Sequence, residues 1–169
     1  LQSNNSTARY WAAAALGQIR DNRSRDALIS ALGDSNETVR DEAGWALRSV
    51  EGAGAVELLI KLLKDGDSNR RVGAAKALGD LADASYVLPL IEALQDREPG
   101  VRSEVASSLG RINDSQATVP LIGVLGDPEE QVRRAAIKAL TAIGSQATEP
   151  LILALNESDN NTQELSLIH

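Results

Sequence analysis

Leu16, Leu47, Leu78, Leu109 and Leu140 stand 31 residues apart, and the step does not drift over the four intervals. Arg9, Arg40, Arg71, Arg102 and Arg133 keep it, as do Ile19, Val50, Leu81, Ile112 and Ile143. Asp34, Asp65, Asp96 and Asp127 follow, and one deletion in the last turn brings in Glu157 at a step of 30. Self-similarity at about 20–50 residues marks a chain built by stacking one local unit on the next. The expected division is a single array with units at about 3–33, 34–64, 65–95, 96–126 and 127–156 and a partial sixth at 157–169.

Each unit reads as two helices. Val39, Ala43, Ala46, Leu47 and Val50 recur at helical spacing, not at the period of 2 that a strand needs. A turn rich in Gly, Asp, Asn or Ser follows, as in EGAG, INDSQ and IGSQ, and then a second apolar segment such as VPLIGVL. Pro89, Pro120 and Pro150 fall where a first helical turn tolerates proline, and the repeated Asp opens the next unit as turn former or N-cap.

VRDEAGWALRSV, RVGAAKALGDL, VRSEVASSLGRI and VRRAAIKALTAI, with PLIEAL, PLIGVL and PLILAL, resemble the HEAT-repeat family in its short form, first associated with phycobilisome lyases. The resemblance covers residues 6–169 and implies an all-α, right-handed solenoid of stacked helix pairs. At ~10 Å between packed helices, the stack is expected to be roughly 50 Å long. It also implies that the pairs Asp34/Arg40, Asp65/Arg71, Asp96/Arg102 and Asp127/Arg133 form a structural ladder tying one unit to the next. Ser3 stands in the acid's place before Arg9, and Glu157/Gln163 spoil the last pair, so the ladder is expected to stop at both ends. Gly17, Gly79 and Gly110 interrupt helices, at a cost of ~1 kcal/mol each, where close helix contact is expected.

Composition narrows the function classes. Aromatics make up 2% of the chain, Cys, Met and Phe are absent, and the one His is His169. Thiolate zinc sites, Cys nucleophiles and His-based triads therefore lack their residues. No catalytic residue, metal site or cofactor is expected. The helical-repeat enzyme that hydroxylates deoxyhypusine holds iron with His-Glu pairs, and this sequence contains none. A net charge of −7 argues against broad phosphate-backbone contact, so no nucleic acid is expected as a partner. No apolar run approaches the ~20 residues of a membrane span. The chain lacks an initiator Met and is expected to be part of something longer; its compartment stays open, with the cytoplasm favoured.

Stacking consumes the core stripe and leaves the outer strip of each first helix for contacts. At 100° per residue the outward columns are Tyr10, Asp41, Val72, Ser103, Arg134 and Ala14, Trp45, Lys76, Ser107, Lys138, flanked by Trp11, Glu42, Gly73, Glu104, Ala135. Small Ala14 leaves room for Trp45 beside Trp11. Exposed Trp and Tyr are frequent interface anchors. The expected partner-binding residues are thus Tyr10, Trp11, Asp41, Glu42, Trp45, Lys76, Arg134 and Lys138. The expected partner is another protein or another domain of the parent chain. Packing of Tyr10 and Trp11 against a missing unit is the competing reading, while Tyr86 is expected to pack. The resemblance also leaves open a phycobilin lyase-like subunit, and less readily a nucleic-acid binder.

Overall fold

Turn residues decide where the helices start. In the computed structural model, which describes residues 5–52 and 54–156, the side chains of Asn5, Asn36 and Asp67 cap α1 (Ser6–Ile19), α3 (Glu37–Glu51) and α5 (Ser68–Leu81) by accepting from backbone N–H groups of the first turn. α7 (Pro99–Ile112) opens on a proline whose missing N–H would have had no helical partner, and α9 (Glu130–Ile143) opens after Glu129. The repeated Asp is the turn former, not the cap. Asp34, Asp65, Asp96 and Asp127 each accept at Oδ1 from the N–H two residues on, at 2.8–2.9 Å.

Between these long helices lie shorter ones: α2 (Arg25–Leu32), α4 (Gly54–Leu62), α6 (Val87–Ala93) and α8 (Thr118–Val124). A further helical stretch at 148–156 reaches the edge of the described residues. α2, α6 and α8 each follow a 3-10 turn, and Asp21, Asp83 and Asp114 cap those turns. The result is an all-α, right-handed solenoid of stacked helix pairs. Among the described residues there is no strand.

The core runs along the stack as a ribbon. Leu47, Leu78 and Leu109 from the long helices and Leu28, Leu59, Leu90 and Leu121 from the short ones are fully buried. Each contributes about 1.5–3 kcal/mol, so stability is spread over many similar contacts. α1 packs on α3, α5 on α7 and α7 on α9 through faces of Ala, Gly and Ser. A Cβ on Gly17 would lie 2.8 Å from the Cα of Ala46, and one on Gly110 would lie 2.7 Å from the Cα of Ala139. The short helices touch one another little.

Candidate functional site

Among the described residues, Arg9, Arg71 and Arg102 each fasten two units. Nε and Nη2 of Arg9 donate to both carboxylate oxygens of Asp34 at 2.6 and 2.9 Å. Arg71 holds Asp96 at 2.7 and 2.9 Å, and Arg102 holds Asp127 at 2.7 and 3.0 Å. The third nitrogen, Nη1, turns back to the unit's own Asp and takes its backbone carbonyl: Arg40 to Asp34, Arg71 to Asp65, Arg102 to Asp96 and Arg133 to Asp127, at 2.7–2.8 Å. This corrects the pairing expected from the sequence. The carboxylate belongs to the arginine 25 residues earlier, while the arginine six residues later uses only main chain. Arg9, expected to lie outside the ladder, is its first rung. Glu157 and Gln163 lie outside the described residues.

These contacts set the acids' ionisation. The hydrogen bond from Arg9 holds Asp34 below the ordinary carboxylate range against the opposing effect of burial, and Arg102 does the same for Asp127. At Asp96 burial pushes upward, but the Arg71 hydrogen bond and the Glu98 N–H outweigh it, and the net direction is down.

One rung is missing. Among the described residues, no carboxylate lies within ion-pair distance of Arg40, and Asp65 faces Arg70 Nη1 at 3.7 Å instead. Two substitutions in the repeat explain this. Arg70 occupies the column of the fully buried Val39, Val101 and Val132. A guanidinium cannot enter that apolar slot unpaired; its stem runs over Gly33 and its side chain stays 34% exposed. Arg48 occupies the column of Gly17, Gly79 and Gly110, where even a Cβ does not fit. In α3 Gly44 meets Ala77, the same column pair that Ala75 and Ser108 form between α5 and α7, so the register is kept. With Arg48 in place of the glycine, α3 and α5 touch far less than the other neighbouring long helices do, and Gly73 of α5 lies against the Leu32 backbone of α2 instead.

The loosened junction opens a cleft of about 160 Å³ lined by Arg40, Asp41, Trp45, Arg48, Lys76 and Asp80, with Gly44, Gly73 and Ala77 in its walls. Lys76 Nζ is 2.8 Å from Asp41 and 3.1 Å from Glu37. Asp80 is held by Arg111 at 3.2 Å. Trp45 is 49% exposed, and its ring edge comes 3.3 Å from where a Gly17 Cβ would stand. A roomier cleft of about 450 Å³ lies beside the Arg71–Asp96 pair, but there Lys64 and Glu92 neutralise each other at 3.1 Å.

The structure brings Asp41, Trp45 and Lys76 together at this cleft. On α1, Trp11 is 64% exposed and meets Tyr10 edge to face at 5.1 Å. Among the described residues that is the one ring pair: Trp45 does not stack beside Trp11. The Tyr10 hydroxyl lies against Glu42, whose carboxylate raises its pKa. Arg134, paired with Glu130, and Lys138 sit on α9, two long helices beyond α5, and do not reach the cleft. Ala14 of the outward columns and Gly73 and Ala135 of the flanking one are buried, because the flanks of the long helices pack on their neighbours. Arg40, Arg48 and Asp80 complete the cleft beyond the expected set. The signal for Arg48 was its place in a glycine column.

A family model for HEAT repeats matches residues 1–79, 56–140 and 87–166. No curated protein matches the sequence. Among solved structures, the complex of CpcE and CpcF of phycocyanin lyase from Nostoc sp. PCC7120 is 31% identical over 88% of this chain and 62% of that one, with a TM-score of 0.53. Human deoxyhypusine hydroxylase is 31% identical over 72% of this chain and 44% of that one, with a TM-score of 0.56. An engineered protein is 25% identical over 86% and 76%, with a TM-score of 0.54. This chain thus spans less than two thirds of both natural neighbours.

Proposed function

Because the chain belongs to the HEAT-repeat family, we propose that it is a non-enzymatic scaffold or adaptor that holds a partner protein, or another domain of its parent chain, along the long-helix face. The observation that carries this reading is the exposure of Trp11 and Trp45, 64% and 49%, on adjacent long helices. Large aromatics left in solvent on a rigid surface supply binding area at low entropic cost. Tyr10, whose hydroxyl lies against Glu42, meets the first indole edge to face, and the α3–α5 cleft borders the second. Among the described residues no cluster of His, Cys, Asp and Glu suits a metal ion, and no helix is long and apolar enough to cross a membrane.

The test is to recover the partner with the full-length parent protein, identify it by mass spectrometry and titrate it against Trp11→Ala and Trp45→Ala. Each substitution is expected to weaken binding by more than ~1 kcal/mol with the helical signal unchanged. Unchanged binding contradicts the reading. The likeness to the CpcE–CpcF complex favours a second reading, a subunit of a chromophore-attachment lyase. Absorption changes on mixing the parent protein with a bilin and a phycobiliprotein would establish it in place of the adaptor.

A further inference from the structure

We propose that the cleft between α3 and α5 is a receptor for one acidic side chain, a Glu or Asp carried by a partner segment lying along the long-helix face; this rests on the adaptor reading. Arg40 is the centre of the argument. Its Nη1 is anchored to the carbonyls of Asp34 and Ser35 at 2.7 and 3.3 Å, as Arg71 and Arg102 are anchored in their own units. In Arg9, Arg71 and Arg102 the remaining Nε/Nη2 edge grips a carboxylate with two bonds of 2.6–3.0 Å. In Arg40 that edge carries no carboxylate among the described residues, and Asp65 faces Arg70 instead. The chain thus holds a fork with one tine fixed and its bidentate edge vacant, a geometry that matches a planar carboxylate.

The surroundings agree. Arg48 lines the same cleft, and its guanidinium has no hydrogen-bond or ion-pair partner among the described residues. The cleft's acids are engaged, Asp41 by Lys76 and Asp80 by Arg111. Two cations without a carboxylate therefore face the space, and the Trp45 indole gives the methylenes of a Glu an apolar wall. The volume of about 160 Å³ fits one side chain. Small-molecule sites run to ~300–1,000 Å³, too large for this cleft. The net charge of −7 repels acidic segments at long range, but screening over ~8 Å at physiological salt leaves contact geometry to decide.

The experiment follows the arginine Nε–H resonances of the full ¹⁵N-labelled chain during titration with acetyl-Gly-Glu-Gly-amide, its Gln counterpart and inorganic phosphate. In the free protein Arg9, Arg71 and Arg102 are expected to show slowly exchanging, carboxylate-bound signals and Arg40 a fast-exchanging one. The Glu peptide shifts the Arg40 signal and the Trp45 indole N–H, and the Gln peptide shifts neither. Arg40→Lys weakens the Trp45 response about tenfold. Arg48→Gln, which breaks no bond in the fold, also weakens it. The proposal is overturned if Arg40 already shows a carboxylate-bound signal without peptide, if the Gln peptide acts equally, or if phosphate binds more tightly than the Glu peptide. Such a result alongside intact Trp11- and Trp45-dependent partner binding removes the receptor and leaves the adaptor. Loss of that binding with the Arg40 response intact removes the adaptor instead.

Discussion

Arg71 holds Asp96 through two bonds of 2.7 and 2.9 Å and, through Nη1, the carbonyl of Asp65 at 2.8 Å. One side chain thereby ties α5 to the turn before it and to the turn before α7. Its side chain is 5% exposed and that of Asp96 10%, so removing either partner strands a charge in a dry place.

Asp96→Asn is therefore expected to destabilise the chain by about 3 kcal/mol, the usual scale for breaking a buried pair. Asp65→Asn, whose carboxylate serves no inter-unit rung, should cost less than about 1 kcal/mol. Urea unfolding of the two variants side by side checks the contrast, and equal midpoints would contradict the ladder as drawn.

The glycine columns predict opposite signs for one substitution. In Gly110→Ala the new methyl meets backbone, the Cα of Ala139 at 2.7 Å, which moves only if α7 and α9 part. Overpacking of about 1–3 kcal/mol outweighs the ~1 kcal/mol gained in helix propensity, so the variant is less stable. Gly123→Ala, with nothing within 4 Å, should gain about 0.5–1 kcal/mol. Thermal unfolding of both variants reads the signs.

Acid should loosen the stack at its rungs. Arg9 and Arg102 hold Asp34 and Asp127 below the ordinary carboxylate range, and Asp96, raised by burial, is brought down by Arg71. A depressed folded pKa contributes stability that is present above the unfolded value, about 3.9, and is lost as pH falls through the folded one. The urea midpoint is expected to stay level from pH 7 to about 5 and to fall below about 4. In Asp127→Asn the fall should be shallower.

Regularising the loosened junction is a direct test of its cause. In Arg48→Gly with Arg70→Val, α5 should close on α3, and Arg40 Nε should come within about 3 Å of Asp65. A crystal structure of the double variant with Arg40 and Asp65 still apart would show that these two residues do not hold the junction open.

The helices were legible because Val39, Ala43, Leu47 and their repeats form one stripe. The partner of each arginine was not, for a reason built into the period. In a 31-residue repeat the Asp six residues before an arginine and the Asp 25 residues after it belong to the same column. Spacing cannot tell them apart; geometry assigns the carboxylate to the second. The cleft was legible in part. Arg70 among valines and Arg48 among glycines mark the irregular junction, but the parting of α3 and α5 follows from packing. Angular arithmetic puts Trp45 outward and Trp11 on the flank, and both indoles are exposed, but it also counts Ala14 as outward, although that residue is buried.

The central claim is that a partner lies on the long-helix face, and oxidative footprinting tests it most directly. With two Trp, two Tyr, no Met and no Cys, the chain carries few strongly reactive side chains. Bound partner is expected to protect Trp11 and Trp45 while leaving Tyr86, at the start of α6, as reactive as in the free protein. Protection of Tyr86 with both indoles still fully reactive would place the partner elsewhere and contradict the account.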